Sequence, residues 1–201
     1  MQLYLLKPML RLKIIGIALY FGVILSCSNP DPELNSMDFL KAGDSLSVKT
    51  FDTLSRTLQK AIAAGSFNEA ILVCKEMAPG LTGTYNTNTT TISRTALLVR
   101  NKANAPDKLE MPQLDYFQKM IEEGQPLKSK LVVDEMGTVH YFKPILIQPL
   151  CLNCHGSEQQ DIMPALLAKI KKEYPADEAT GYATGDLRGL WHITFNPFKP
   201  K

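Results

Sequence analysis

The chain has 201 residues, 45% of them hydrophobic and 21% charged, with 22 Lys+Arg against 20 Asp+Glu and four cysteines. That balance is too apolar and too near neutrality for a disordered chain, and no apolar run reaches the ~18 residues expected of a polytopic membrane protein. The net charge of +2 comes from Lys7, Arg11 and Lys13 at the start; after residue 26, 19 basic residues face 20 acidic ones, with no clustered basic face for nucleic acid.

Residues 1–13 supply a cationic leader and residues 14–25 (IIGIALYFGVIL) an uncharged apolar core. The core is shorter than the ~20 residues of a permanent membrane helix, so residues 1–26 read as a secretory signal peptide. Ile24-Leu25-Ser26-Cys27 resembles a bacterial lipobox, in which small residues admit the signal peptidase and the cysteine thiol receives diacylglycerol. Cys27 is therefore the expected lipidation site, with an ordinary cleaved signal as the alternative. Ser28 in place of Asp after the cysteine is compatible with sorting to the outer membrane, which puts the protein on the periplasmic side of a bacterial envelope. Residues 27–40 are expected to be a lipidated N-terminus and flexible tether, because Pro, Asn, Asp and Ser crowd into 28–36. Residues 41–201 are long enough for a single domain.

Leu46, Phe51, Leu54, Leu58 and Ile62 recur at near-helical spacing, predicting an amphipathic helix over 46–63 that stops at Gly65. Ser66-x-x-Glu69 has the form of a capping box opening a second helix, with Phe67, Ala70, Ile71, Cys74 and Ala78 on one inward face up to Pro79. Residues 80–91 are a Thr/Asn-rich loop, and Ile92 to Arg100 alternates as a strand. Asp107 and Pro112 start a helix that turns Leu114, Phe117, Met120 and Ile121 inward and ends at Gly124. Residues 127–133 and 138–147 are β-rich runs flanking Asp134-Glu135-Met136-Gly137, a hairpin. A short helix over 161–172, a Gly-rich connection over 175–188 and a final strand over 190–195 complete the chain. Helices first, then a small antiparallel sheet with helices interleaved, gives an α+β fold.

Cys151-Leu152-Asn153-Cys154-His155 is C-x-x-C-H, the attachment signature of c-type haem. Two thiols at this spacing reach the two vinyl groups of the porphyrin, and the next residue brings an imidazole to the iron. Zinc would want a second Cys/His pair at short spacing, whereas His140 and His192 stand far apart in sequence. A thioredoxin-like pair would sit in a βαβ unit and would not require the histidine. Haem c, His155 as proximal ligand and an export signal agree with one another. For the opposite axial position the candidates are Cys74, His140, His192 and Met77, Met111, Met120, Met136 and Met163. Their ordinary roles are a small buried hydrophobe for Cys74, sheet-surface residues for the histidines and core filling for the methionines. With Cys27 lipidated and Cys151 and Cys154 bonded to haem, Cys74 is an unpaired thiol in an oxidising compartment.

Several segments resemble the PAS-like haem c family of cyanobacterial type. They are residues 70–79 (AILVCKEMAP), Arg94-Thr95, residues 100–107 (RNKANAPD), residues 150–156 (LCLNCHG), and Tyr174-Pro175-Ala176-Asp177 through Gly181 to Gly189 (GYATGDLRG). Lys102 stands where the family often has proline and Leu109 where it often has tryptophan. The resemblance implies a PAS-like fold with a small antiparallel sheet and flanking helices, and it implies that Cys74 ligates iron opposite His155. A thiolate favours ferric iron and a low potential, so the expectation is a six-coordinate, low-spin ferric haem. Arg94, Arg100 and Arg188 fall in the matching segments and suit the haem propionates, since a guanidinium fork matches a carboxylate.

The expected function is redox or electron transfer by an exported lipoprotein with one c-type haem, working with a redox or signalling partner protein. The alternative is a haem-based redox or gas sensor module that signals through a partner. An enzyme such as a peroxidase needs an open iron site and a distal acid–base residue, so six-coordination argues against catalysis. Membrane contact is expected through the lipid anchor, and nucleic acid is not an expected partner.

Overall fold

The computed structural model describes residues 36–196. The expected signal peptide, the lipidation site Cys27 and the first part of the tether lie outside the described residues. The four strands are β1 (Thr90–Thr95), β2 (Lys130–Val133), β3 (Val139–Leu146) and β4 (Leu187–Phe195). They form one antiparallel sheet in the order β1-β4-β3-β2, which with its flanking helices is the α+β arrangement expected from the sequence.

Helix α1 runs from Ser36 to Gly65, starting well before Leu46 and inside the range expected to be a tether. Packing explains the difference. Phe39, Leu40 and Ala42 lie half-buried against the sheet, and the Phe39 ring stands 5.2 Å from that of Phe195. The buried stripe of α1 is disguised by small and polar residues, Gly43, Ser47 and Thr50. The Ser47 and Thr50 hydroxyls donate back to the carbonyls of Asp44 and Leu46 at 2.9 and 2.8 Å, so neither is left unpaired. Gly43 is required by close approach, since a Cβ there would run into the Tyr141 ring.

Alternation along the strands divides the core between two faces. Ile92, Val139, Tyr141, Trp191, Ile193 and Phe195 form the face under α1. Phe142 and Leu190 face the other way, against Leu114 and Phe117 of α4 (Met111–Glu122). A third cluster joins Ile71 of α2 (Phe67–Leu72) to Ile162 and to Leu166 and Ile170 of α6 (Pro164–Glu173). Fully burying each large apolar side chain stabilises by roughly 1.5–3 kcal/mol, so both sheet faces are strongly held.

Helix α4 begins later than the residue pattern suggests because the Asp107 carboxylate accepts from Leu109 and Glu110 N–H at 2.8 Å each, making a separate turn first. The predicted hairpin is present. Asp134 Oδ1 accepts from Met136 N–H and Thr138 N–H at 2.9 and 2.8 Å, and Gly137 supplies the positive φ of 77°. The strand expected over 92–100 occupies Thr90–Thr95 instead, because the chain leaves the sheet at Ala96, whose N–H donates to the Asn104 carbonyl at 3.1 Å. None of the described helices is long and apolar enough to cross a membrane.

Candidate functional site

The second predicted helix is broken into three continuous pieces. After α2 comes a π-helical turn, Val73–Met77, and then α3 (Ala78–Thr82). Ser66 does start this run, but its side chain accepts from Asn68 N–H at 3.3 Å, so the expected reciprocal box with Glu69 is not formed. A π turn holds one residue more than an α turn and so changes the direction of the side chains it carries; such turns concentrate at functional sites. This one carries Cys74. Ala70, Ile71 and Ala78 of the predicted inward face are buried, while Phe67 and Cys74 are half-buried. The turn is pinned from outside by Lys75, which with Lys169 clasps Glu173 at 2.9 and 3.0 Å. These two ammonium groups pull the Glu173 carboxyl down to about 2.

The C-x-x-C-H segment spans a 3-10 turn, Pro149–Cys151, and a single helical turn, α5 (Leu152–His155). His155 Nδ1 lies 2.7 Å from the Ala179 carbonyl. A carbonyl oxygen only accepts, so the proton is on Nδ1 and Nε2 keeps its lone pair, the tautomer a metal-binding imidazole needs. Burial, then the nearby charges of Arg188 and Arg100, push the His155 pKa well below the ordinary range, which keeps the ring neutral. Burial also pushes the Cys154 thiol up to about 11 against the pull of Arg100, and raises Cys74 against Arg100 and Arg94. In the free chain these sulfurs are therefore thiols.

The three arginines singled out by the sequence have different duties. Arg100 is buried and fully engaged: it grips Asp177 through Nε and Nη2 at 3.1 and 2.9 Å and donates to the Cys154 and Ala179 carbonyls at 2.6 and 3.3 Å. Through these bonds it fixes the peptide around the motif. Arg188 donates to the Leu98 carbonyl at 3.1 Å and lies over the Tyr182 ring at 5.6 Å. Arg94 has its Nε buried with no hydrogen-bond partner among the described residues. Arg94, Arg100 and Arg188 line a cleft together with Cys151 and His155, and Ala96, Val99, Ile145 and Ile147 supply apolar wall. Cys74 stands beside this cleft, within electrostatic range of Cys154, Arg94 and Arg100.

The connection expected over 175–188 braces the motif peptide. Besides Asp177 and Ala179, Gly181 N–H and Tyr182 N–H donate to the Gly156 and His155 carbonyls at 2.8 and 3.0 Å. Backbone carbonyls and amides carry no side-chain signal, so composition did not mark Ala179 or Gly181. The other axial candidates are placed as follows. Neither Cys74 nor any of Met77, Met111, Met120, Met136 and Met163 lines the cleft itself, and His140 and His192 bond to each other in the sheet at 2.9 Å. Those histidines are buried, which corrects the expectation that they lie on the sheet surface.

The residues present fit a haem. A buried guanidinium Nε without a partner suits an anionic group, the apolar walls a flat hydrophobic body, and the two thiols and the neutral imidazole covalent attachment and iron ligation. Comparison with known proteins bears on the same segment. The family model described as Tll0287-like matches residues 35–196. The chain belongs to the Tll0287-like family. Among solved structures, the cyanobacterial heme-protein Tll0287 is similar, with 24% sequence identity and a TM-score of 0.60, covering 83% of this chain and 99% of that one. At that identity the likeness speaks for the shared α+β fold. No curated protein matches the chain. The Tll0287-like match takes in every residue of the site from Cys74 to Gly189.

Proposed function

We propose that this Tll0287-like chain carries one covalently bound c-type haem and serves one-electron transfer in an exported, lipid-anchored protein. The observation that carries the reading is His155, set directly after Cys151 and Cys154, with Nδ1 held by Ala179 and Nε2 left to ligate. The similarity to a cyanobacterial heme-protein supports it. The haem supplies an iron that cycles between two oxidation states. The thiols of Cys151 and Cys154 tether it, His155 ligates from one side, and Cys74 is the proposed ligand on the other. Arg94 and Arg188 provide the positive charge for its propionates. Arg100 and Asp177 hold the motif peptide in place. The whole domain takes a PAS-like role as a cradle, and no catalytic step is assigned to it.

The thiol of Cys74 must lose its proton to ligate, and burial opposes that ionisation until the metal supplies its charge. The same fact favours a second reading: a thiolate bound in a π-helical turn is a ligand that can leave, and a module with a displaceable ligand senses redox state or a small gas through a partner.

Denatured protein from cells with a haem c attachment system tests the reading. Haem is expected to stay with the chain, and Cys151→Ser or Cys154→Ser is expected to weaken that bond, with both together releasing it. A chain that sheds its haem intact on denaturation would overturn covalent binding. For the axial ligand, Cys74→Ala is expected to change the ferric spectrum and raise the midpoint potential; an unchanged spectrum rules Cys74 out. Prompt carbon monoxide binding by the ferrous protein would favour sensing over transfer. Export and anchoring are tested by Cys27→Ser, expected to release the protein from the membrane fraction.

A further inference from the structure

The sheet face under α4 buries three titratable side chains that the haem reading does not use, Glu110, His140 and His192, and a fourth, Asp134, caps them at the surface. His140 of β3 and His192 of β4 are 8% and 7% exposed, and His140 Nδ1 meets His192 Nε2 at 2.9 Å. The outer nitrogen of each ring meets a carboxylate: His140 Nε2 lies 3.3 Å from Asp134 Oδ2, and His192 Nδ1 lies 2.7 Å from Glu110 Oε1. Phe142 stacks on His192 with ring centroids 4.5 Å apart.

These contacts fix a proton count. With both carboxylates ionised, each outer nitrogen holds a proton and donates it outward. Two neutral rings would then face each other through two lone pairs, and leaving such buried atoms unsatisfied is costly. A third proton between Nδ1 and Nε2 makes that contact a hydrogen bond. If a proton resides on Glu110 instead, the Glu110–His192 bond reverses, every bond then points toward Asp134, and the count is still three. In the two-proton form the Thr194 hydroxyl, 3.4 Å from His192 Nε2, offers a longer substitute.

The two ends of the chain differ. Asp134 sits in the β2–β3 turn with its side chain 24% exposed, open to water. Glu110 is 7% exposed and lies beside Thr95, and Thr95 forms part of the cleft wall beside Arg94. Other groups facing the chain are already engaged. Asp107 binds the amides that start α4, Lys130 on β2 donates to Gln113 at 2.8 Å, and Ser93 on β1 donates to the His192 carbonyl at 3.3 Å.

We propose that Asp134, His140, His192 and Glu110 form a proton-storage site linked to the redox state of the cleft. When an external one-electron donor reduces the cofactor, the chain takes one proton from water at Asp134 and forms one N–H bond between the histidines. Oxidation returns both. The driving force is Coulombic: an electron in the cleft makes it one unit more negative, and a proton across the Thr95 wall offsets that charge. The proposal rests on the haem reading.

The test is the midpoint potential of the purified holoprotein from pH 5 to 8, where imidazole titrates, beside His140→Gln and Glu110→Gln. An amide keeps hydrogen bonding but stores no proton. In the wild type the potential is expected to fall as pH rises, with a limit of a tenfold shift in the oxidised-to-reduced ratio per pH unit, about 59 mV. Both variants are expected to flatten the slope. The wild type also carries a readout that needs no substitution: nitrogen-15 NMR of labelled imidazoles, in which the rings of His140 and His192 are expected to gain a proton on reduction. A flat wild-type potential, a slope that both variants retain, or ring nitrogens that ignore reduction would each overturn the proposal alone. Protein purified without covalent haem would instead overturn the haem reading and this linkage together.

Discussion

Arg94 and Arg100 share a residue type and a neighbourhood but answer to different partners, and substitution separates them. Arg100→Ala leaves Asp177 buried and ionised without its partner, which typically costs 3–5 kcal/mol. For a domain of this size the unfolding midpoint, read by circular dichroism, is expected to drop by roughly 10 °C. Arg94→Leu removes a guanidinium whose Nε has no partner, so the haem-free protein is expected to melt within a few degrees of wild type while the holoprotein binds its haem less firmly. Gly189→Ala is a further residue-scale case. An added Cβ would collide with the Thr95 backbone carbonyl in the neighbouring strand, and overpacking of this kind costs about 1–3 kcal/mol in denaturant titrations. Cys151, Cys154 and His155 were legible because their chemistry is contiguous in the chain. His140 and His192 were misread because alternation says which residues share a face, and only the position of α4 says that this face is covered. The Ala179 carbonyl was out of reach for a simpler reason: any residue has one.

At the scale of elements, the π-helical turn is the least expected feature and the most testable. Residue spacing placed Cys74 on the inner face of a helix, but an inserted residue that widens one turn leaves no compositional mark. Deleting the exposed Glu76 would allow a continuous α-helix and turn the residues beyond it by about 100° relative to α2. The expected outcome is a protein that still folds, by circular dichroism, with an altered ferric spectrum. An unchanged spectrum would mean that the turn does not set the position of Cys74. Helix α1 shows the opposite limit of sequence reading. Its core half has the ordinary apolar spacing, whereas its first three turns bury Gly43 and Ser47 against the Tyr141 side chain, a fit visible only once β3 is in place.

For the molecule as a whole, the clasp of Lys75 and Lys169 on Glu173 ties the Cys74 turn to α6 and gives stability a pH signature. The folded carboxyl titrates at about 2, against roughly 4.3 for an unfolded glutamate. Its contribution is therefore complete above the unfolded value and is lost as pH falls toward the folded one. Melting temperatures from pH 6 to 2 are expected to fall less steeply in Glu173→Gln than in wild type across that window. The α+β class was readable from element order, because helices and strands differ in period. The strand order was not, since alternation is identical in every arrangement of the sheet. That order has a consequence in time. Strand β4, the last described element, lies between β1 and β3, and β1 has no strand neighbour other than β4 among the described residues. A chain emerging from its N-terminus holds β1 unpaired until every other described element, including Cys151 to His155, has been made. Contacts this distant in sequence slow folding. The motif thus has an interval in which it is accessible on an unfinished sheet, and β4 closes that interval when it pairs on both sides.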